Sequence, residues 1–279
     1  MLLVCPNDSV VAASEINDAK AAGIITIAYD RPILQTDSLD YIVGFDRDYV
    51  GTSQGEYLVS QAEGKGNPLY LYSGEATDGN FYVYFGSAWK VLQPKIADGP
   101  FVIQNSTAAQ ALSSKNELTH KDMEEIFSQI STEWKYHIAT IKAQADLLIL
   151  SSDTATGTAY ILCGNDITAR AISDVFSDHF EKYYITGQDA DKESIQYILD
   201  GKQSMTVLKN LPQLAQLSVD TIESALKNET ITTISTTNTN STNPIPTIEL
   251  PVTVITKENI QREIFDSGYY DQKDFNLHQ

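Results

Sequence analysis

The chain has few basic residues, and this shortage excludes several kinds of partner. Its 279 residues include 37 Asp and Glu against 19 Lys and Arg, which gives a formal net charge of −18 at pH 7. Such a surface repels phosphate backbones and anionic lipids, so we expect no nucleic-acid partner. The sequence also has no run of about 18 apolar residues, the length that crosses a bilayer. We therefore expect no membrane insertion by this chain.

Motifs for export and for common kinds of catalysis are also missing. The first residues, MLLVCPND, have neither the charged segment nor the small-residue cleavage site of a signal peptide. There is no nucleophile elbow, phosphate-binding loop or zinc-protease motif. Cys5 and Cys163 lie beside apolar residues without metal-ligand spacing, and we interpret them as small buried hydrophobic residues. The sequence predicts a protein that is not an enzyme and holds no metal ion or cofactor.

What the sequence does contain is a regular alternation of short apolar runs with amphipathic segments of helical length. Hydrophobic residues make up 42% of the chain, and the length suits two domains of ordinary size. Alternation of this kind favours α/β layers built on parallel sheets. Strands are predicted at 2–5, 24–28, 41–45, 69–72, 101–104, 159–163, 183–186, 205–208 and 251–255. Helices are predicted at 9–22, 47–62, 80–93, 134–146, 166–178, 191–200 and 211–227.

Two polar stretches interrupt the alternation. Residues 105–126 are predicted to form a polar excursion with a short helix at its end. Residues 229–247 are rich in Thr and Asn and contain too few apolar side chains to pack against a core. We predict that this second stretch is a mobile surface loop.

Polar side chains recur directly after the predicted strands, the position where parallel α/β sheets bind ligands. A sugar hydroxyl both donates and accepts hydrogen bonds, so a sugar site needs planar groups of both kinds, and charged groups form the stronger bonds. The apolar face of a pyranose also favours an aromatic ring. Trp134 opens a predicted helix and suits that role, whereas Trp89 lies within a helix and is predicted to be core. The candidate residues are Asp30, Arg31, Asp78, Asn80, Trp134, Asn165, Asp189 and Lys209.

Each polar candidate also has an ordinary structural explanation. An Asp after a strand is most often a helix cap, which applies to Asp30 and Asp78. Arg31 could form a surface ion pair with the preceding Asp, an arrangement that contributes little free energy. The remaining polar candidates could hold turns or be solvated. Spacing alone does not decide between these explanations and sugar binding.

Several segments resemble one family in the same order over nearly the whole chain. These segments are 24–33, 41–51, 74–94, 161–172, 185–210 and 254–260, together with 130–148 around Trp134. The most specific motifs within them are AYDR, GQDAD and MTVLK. They resemble monosaccharide-binding proteins that are periplasmic or are lipoproteins, and among these they are most similar to the D-xylose-binding proteins. The resemblance implies a type I periplasmic-binding-protein fold. In that fold two Rossmann-like lobes with parallel sheets are joined by three crossover strands and close on a sugar between them.

The same resemblance implies ligand contact for all eight candidate residues. Asp30, Arg31, Asp78 and Asn80 would come from the first lobe, and Trp134, Asn165, Asp189 and Lys209 from the second; Gly79 replaces an Asn that the family more often has. The implied function is an extracytoplasmic solute-binding protein that delivers xylose or a related aldose to the permease of an ABC transporter. The alternative is the sugar-sensing effector domain of a regulator or of a chemoreceptor-coupled sensor, since the same fold serves there.

The resemblance also implies a division of the chain. An incomplete N-terminal lobe would span 1–103, a C-terminal lobe 104–209, a returning helix 210–230, the low-complexity loop 231–247, and a last crossover strand with the C-terminal segment 248–279. Family members begin with a strand, helix, strand and helix ahead of the part that resembles LLVCPND. We therefore expect the first lobe to lack its first βα units, which would expose an edge of the strand at 2–5.

Overall fold

The computed structural model describes residues 1–148, 157–231, 236–238 and 244–277, and strands alternate with helices along them. The strands are β1 (Leu2–Val4), β2 (Thr26–Tyr29), β3 (Tyr41–Phe45), β4 (Asn67–Tyr72), β5 (Phe101–Ile103), β6 (Thr158–Cys163), β7 (Lys182–Ile185), β8 (Met205–Leu208), β9 (Thr236–Asn238), β10 (Ile245–Leu250) and β11 (Thr253–Thr256). The helices are α1 (Ala13–Ala21), α2 (Arg47–Gln61), α3 (Gly79–Ala97), α4 (Thr107–Ala111), α5 (His120–Ile130), α6 (Tyr136–Leu148), α7 (Asp166–Phe176), α8 (Lys192–Leu199) and α9 (Leu211–Leu226). A π-helical turn (Gln261–Asp266) and a 3-10 turn (Gln272–Asp274) follow β11.

The chain divides into two compact units. Unit 1 comprises Met1–Arg47, Thr77–Asn80 and Lys209–Val252, and unit 2 comprises Asp48–Ala76, Phe81–Leu208 and Thr253–Gln279. This division differs from the expected lobe boundary at residue 103, because β4 and β5 pair in one sheet with β6. Lys209, which was expected in the second lobe, lies in unit 1, where the chain enters α9 and α9 packs on β3.

Unit 1 is built on one five-stranded sheet with the order β1-β2-β3-β10-β9. The first four strands run parallel, and β9 is antiparallel to β10. Ile16 of α1 packs on Ala28, Ile42 and Ile245 in the buried core of this unit. Because parallel strands end at the same edge of a sheet, this order places the residues that follow β1, β2 and β3 along one edge.

Unit 2 contains a parallel sheet with the order β5-β4-β6-β7 and a separate antiparallel pair, β8 with β11. Its main core lies between the parallel sheet and helices α6 and α7, where Tyr70, Ile161, Ile172 and Phe176 are buried. Tyr70 meets Phe176 edge to face, with ring centroids 4.9 Å apart. The predicted parallel α/β architecture is confirmed.

Two predictions about the chain's irregular parts need correction. The strand predicted at 251–255 is displaced, since β10 ends at Leu250 and β11 begins only at Thr253. The predicted loop at 229–247 also contains the start of β10, which begins at Ile245. Pro246 precedes the parallel ladder with β3, which starts at residue 247, so its missing N–H removes no bond to β3. Residues 232–235 and 239–243 of that loop lie outside the described residues.

The two cysteines differ in exposure. Cys163 is buried at the end of β6 as predicted, but Cys5 is exposed, and both are free thiols. Cys5 follows β1, an edge strand whose one partner among the described strands is β2, so less protein covers it. The interpretation of Cys5 as a buried hydrophobic residue is therefore wrong.

Candidate functional site

Four candidates of unit 1, Asp30, Arg31, Asp78 and Asn80, form one cluster joined by hydrogen bonds and an ion pair beyond the end of β2. Asp30 adopts a left-handed conformation with φ of 61°, and its backbone N–H donates to the Val43 carbonyl at 2.8 Å. Arg31 forms an ion pair with Asp78 rather than with the preceding Asp, with 3.3 Å between Nε and Oδ2. The left-handed turn at Asp30 changes the chain direction just before Arg31.

Residues 78–80 connect the start of α3 to this cluster. Oδ1 of Asp78 accepts the backbone N–H of Asn80 at 3.1 Å, so the predicted capping role is present. Nδ2 of Asn80 donates to the backbone carbonyl of Asp30 at 3.0 Å. The N–H of Gly79 donates to Oγ of Ser9 at 3.0 Å, and a Cβ on Gly79 would lie 3.0 Å from that oxygen. A small residue at position 79 therefore suits the close approach of Ser9.

One polar atom in this cluster lacks a hydrogen bond. Asn80 is 2% exposed, and its Oδ1 has no hydrogen-bond partner among the described residues. Leaving a buried acceptor unpaired costs about 1–3 kcal/mol. A donor from a bound ligand would remove that cost.

Charges of both signs meet around Asp78. Burial is the largest influence on its carboxyl group and raises its pKa, while Arg31 and Lys209 oppose that shift. Lys209 follows β8 and is 9% exposed. Asp30 and Asp78 together with Arg31 and Lys209 bring two formal charges of each sign into one cluster, which suits a neutral polar ligand better than an ion.

In unit 2, Trp134 occupies a tight turn before α6 rather than the helix that was predicted to start with it. Glu133 and Trp134 are consecutive left-handed residues, with φ of 52° and 57°. The indole packs on two glycines, because a Cβ on Gly74 would lie 1.9 Å from Cζ2 of the ring and one on Gly164 would lie 3.0 Å from Cζ3. Phe81 meets the ring edge to face at 5.4 Å between centroids.

The polar edge of the same indole is also without a partner. Nε1 of Trp134 is buried and makes no hydrogen bond within the described part of the chain. Trp89, in contrast, is 1% exposed and donates from Nε1 to the Lys115 carbonyl at 2.8 Å, which confirms its predicted place in the core. A buried Trp N–H usually finds an acceptor. The unpaired N–H of Trp134 therefore indicates a position for a ligand oxygen.

Asn165 and Asp189 follow the neighbouring strands β6 and β7. Oδ1 of Asn165 accepts the Thr168 N–H at 3.1 Å and caps α7, so its structural explanation is present as well. Capping uses Oδ1, and the side chain also carries two N–H groups at Nδ2. Asp189 has φ of 101°, and its backbone N–H donates to the Val207 carbonyl at 2.9 Å.

Several residues that shape these clusters were not among the candidates. Ser9 bonds the start of α3, and Gly74 and Gly164 make room for the indole. Gln188 is 3% exposed, and its Oε1 lacks a partner among the described residues. The two glycines stand just beyond β4 and β6, so their place at strand ends was a signal available in the sequence.

The candidate residues offer hydrogen-bond donors, acceptors and an aromatic ring, but no group of metal ligands. Over the described ranges, no three His, Cys, Asp or Glu side chains come together in a way that could hold a metal ion. None of the helices described is both long and apolar enough to cross a membrane.

Several known proteins that are similar in sequence or structure are named as sugar-binding proteins or were solved with a bound sugar. The periplasmic binding protein domain family matches residues 1–230. A carbohydrate transporter solute binding protein from Chloroflexus aurantiacus, solved with D-glucose, is 44% identical with a TM-score of 0.95, and the match covers 99% of this chain and 81% of that one. An ABC transporter solute binding protein from Clostridium phytofermentans, solved with β-D-glucose, is 26% identical with a TM-score of 0.83. This match covers 99% of this chain and 82% of that one.

A third relative agrees with the narrower resemblance. The D-xylose-binding periplasmic protein of Haemophilus influenzae is 28% identical over 273 residues, which cover 98% of this chain and 74% of that protein. These similarities confirm the resemblance that the sequence segments suggested and the fold that it implied.

Proposed function

The chain belongs to the periplasmic binding protein domain family, and from that premise we propose that it captures a monosaccharide and delivers it to the permease of an ABC importer. It acts outside the cytoplasm and performs no chemistry on the sugar. The ligand is an aldose of the xylose or glucose type, since one relative is named as a D-xylose-binding protein and another was solved with D-glucose. The candidate residues supply the hydrogen-bonding groups for this ligand.

The observation that carries the proposal is a pair of buried polar atoms, on two of the candidate residues, that have no hydrogen-bond partner in the part of the chain that the structure describes. Oδ1 of Asn80 is an acceptor without a donor, and Nε1 of Trp134 is a donor without an acceptor, within the described residues. A sugar hydroxyl can satisfy either kind of atom, because it donates one hydrogen bond and accepts others. Each pairing removes a desolvation cost of about 1–3 kcal/mol that the unliganded protein carries.

The charges of unit 1 support a neutral ligand. Asp30, Arg31, Asp78 and Lys209 together carry no net formal charge, so an anionic or cationic ligand gains little overall attraction from them. Charged groups nevertheless form stronger hydrogen bonds with neutral hydroxyls than uncharged groups do. This combination binds a polyol while discriminating against sugar phosphates.

The test is isothermal titration calorimetry with D-xylose, D-glucose and glucose 6-phosphate. We expect binding of at least one free aldose in the micromolar range or tighter, and weaker binding of the phosphate. Trp134→Phe keeps an aromatic ring but removes Nε1–H, so affinity should fall, whereas the matched Trp89→Phe variant should bind like the wild type. Absence of heat with every pentose and hexose tested, or turnover of a sugar, would contradict the proposal.

A further inference from the structure

A buried carboxyl group in unit 2 lies outside the set of candidate ligand residues. Asp166 is the first residue of α7, directly after Asn165, and its exposed fraction is 0%. Burial raises the pKa of its carboxyl group well above the usual range, and the neighbouring Asp191 and Asp189 add to that shift. A buried carboxyl group is unfavourable unless it is hydrogen-bonded, so its partners identify what it stabilises.

Those partners lie on both sides of Asp189. Oδ2 of Asp166 accepts the backbone N–H of Asp191 at 3.0 Å, and its own backbone N–H donates to the Gln188 carbonyl at 3.0 Å. Oδ1 accepts from Nε2 of Gln203 at 2.8 Å. The segment 187–191 is thus bonded to Asp166 immediately before and shortly after Asp189.

This segment needs such support because its backbone is strained. Asp189 and Ala190 are consecutive left-handed residues, with φ of 101° and 53°. Such conformations persist in residues other than glycine only when the surroundings impose them. A Cβ on Gly187 would lie 2.2 Å from Oδ1 of Asp166, so the carboxyl group packs directly against the backbone of the segment.

We infer that Asp166 is a positioning residue for Asp189: the two oxygens of its carboxyl group hold segment 187–191 in the conformation that carries this ligand residue. The inference rests on the proposed function for the role of Asp189 in sugar binding. Two acceptor oxygens are required, because Asp191 and Gln203 each direct an N–H at the group. Both oxygens of a carboxyl group keep a lone pair for an N–H whether or not the group is protonated. Asn in this place supplies one acceptor and one donor, so one of the two N–H groups would face another N–H.

The first test compares Asp166→Asn with Ile172→Ala, a variant of a fully buried residue on the same helix. The second variant reports what a general loss of stability does. Amide hydrogen exchange is measured without sugar, and we expect the Asp191 amide to exchange about tenfold faster in Asp166→Asn than in Ile172→Ala after correction for global stability. Equal protection of this amide in the two variants would overturn the inference.

The second test is a double-mutant cycle on sugar affinity. We expect Asp166→Asn to weaken binding about tenfold in the wild-type background and far less in an Asp189→Ala background, because the effect passes through Asp189. Independent, multiplicative losses would overturn the inference. If the wild type binds no sugar, the proposed function fails while the exchange measurement still decides whether Asp166 holds the segment. If Asp166→Asn does not fold, Gln203→Met removes the donor to Oδ1 and carries both tests with the same expected direction.

Discussion

Replacing Gly74 by Ala tests how the indole of Trp134 is placed. A Cβ at this position would lie 1.9 Å from Cζ2 and 2.2 Å from Cε2 and Cη2 of the ring, far inside van der Waals contact, so the ring must move. Under the proposed function, a moved ring loses its stacking on the sugar, about 0.5–1.5 kcal/mol, and the Nε1 hydrogen bond, about 0.5–1.5 kcal/mol. The sum of about 1–3 kcal/mol predicts a Kd that is about 5- to 150-fold higher.

The matched control for this variant is Gly86→Ala in α3. The nearest atom to a Cβ on Gly86 is Sδ of Met123 at 3.8 Å, an ordinary contact. The control should therefore keep the wild-type Kd and gain about 0.5–1 kcal/mol of stability, because Ala favours a helix over Gly. Calorimetry gives the Kd, and tryptophan emission reports the environment of the ring.

A Gly74→Ala protein with the wild-type Kd and an unchanged emission maximum would refute this reasoning. It would show either that the backbone at Gly74 can yield without moving the ring, or that the ring does not contact the sugar. If Gly74→Ala and Gly86→Ala both lose affinity, the higher Kd comes from a general disturbance of the fold of unit 2 and not from the position of the indole.

Three further predictions concern the stability of the two units. Gly51→Ala should lower the free energy of unfolding by about 1–3 kcal/mol in urea titrations, because the added Cβ would lie 2.0 Å from the Tyr84 carbonyl oxygen; unchanged stability would contradict the close helix approach. Tyr72→Phe should cost about 1–3 kcal/mol, since the Tyr72 hydroxyl donates to the half-buried Asp146 carboxylate at 2.6 Å. Because burial raises the pKa of Asp78 in the folded state, its contribution to stability is full below the ordinary Asp pKa and is lost as pH rises through the raised value. The wild type should therefore lose stability relative to Asp78→Asn as pH rises above the ordinary Asp pKa of about 4, and a difference that stays constant with pH would exclude this titration.

Local patterns in the sequence predict most of the elements but not their partners. The strand at 41–45 is found as predicted, and the helix predicted at 166–178 is found at Asp166–Phe176, because apolar spacing and a capping Asn are local signals. The unit to which β4 belongs depends on pairing with β6, some 90 residues later in the chain, and this is not a local property. The predicted lobe boundary therefore stands far from the observed division.

For the candidate site, too, the sequence predicts the residue types but not the backbone geometry. The sequence identifies Asp30, Trp134 and Asp189 as candidates from hydrogen-bonding chemistry and resemblance. It does not indicate that all three adopt left-handed conformations, because tertiary contacts impose that backbone. The sequence does not indicate the positioning role of Asp166 either, since an Asp at the start of a helix is common and its hydrogen bond to the distant Gln203 is not a local property.

The most direct test of sugar binding uses the Trp89→Phe variant, in which Trp134 is the one remaining tryptophan of the two in the sequence. Its fluorescence is followed during titration with D-xylose and with D-glucose. We predict a saturable change in emission with a Kd in the micromolar range or tighter for at least one of these sugars. No change with either sugar up to about 10 mM, a concentration at which even weak specific binding is visible, would contradict the account.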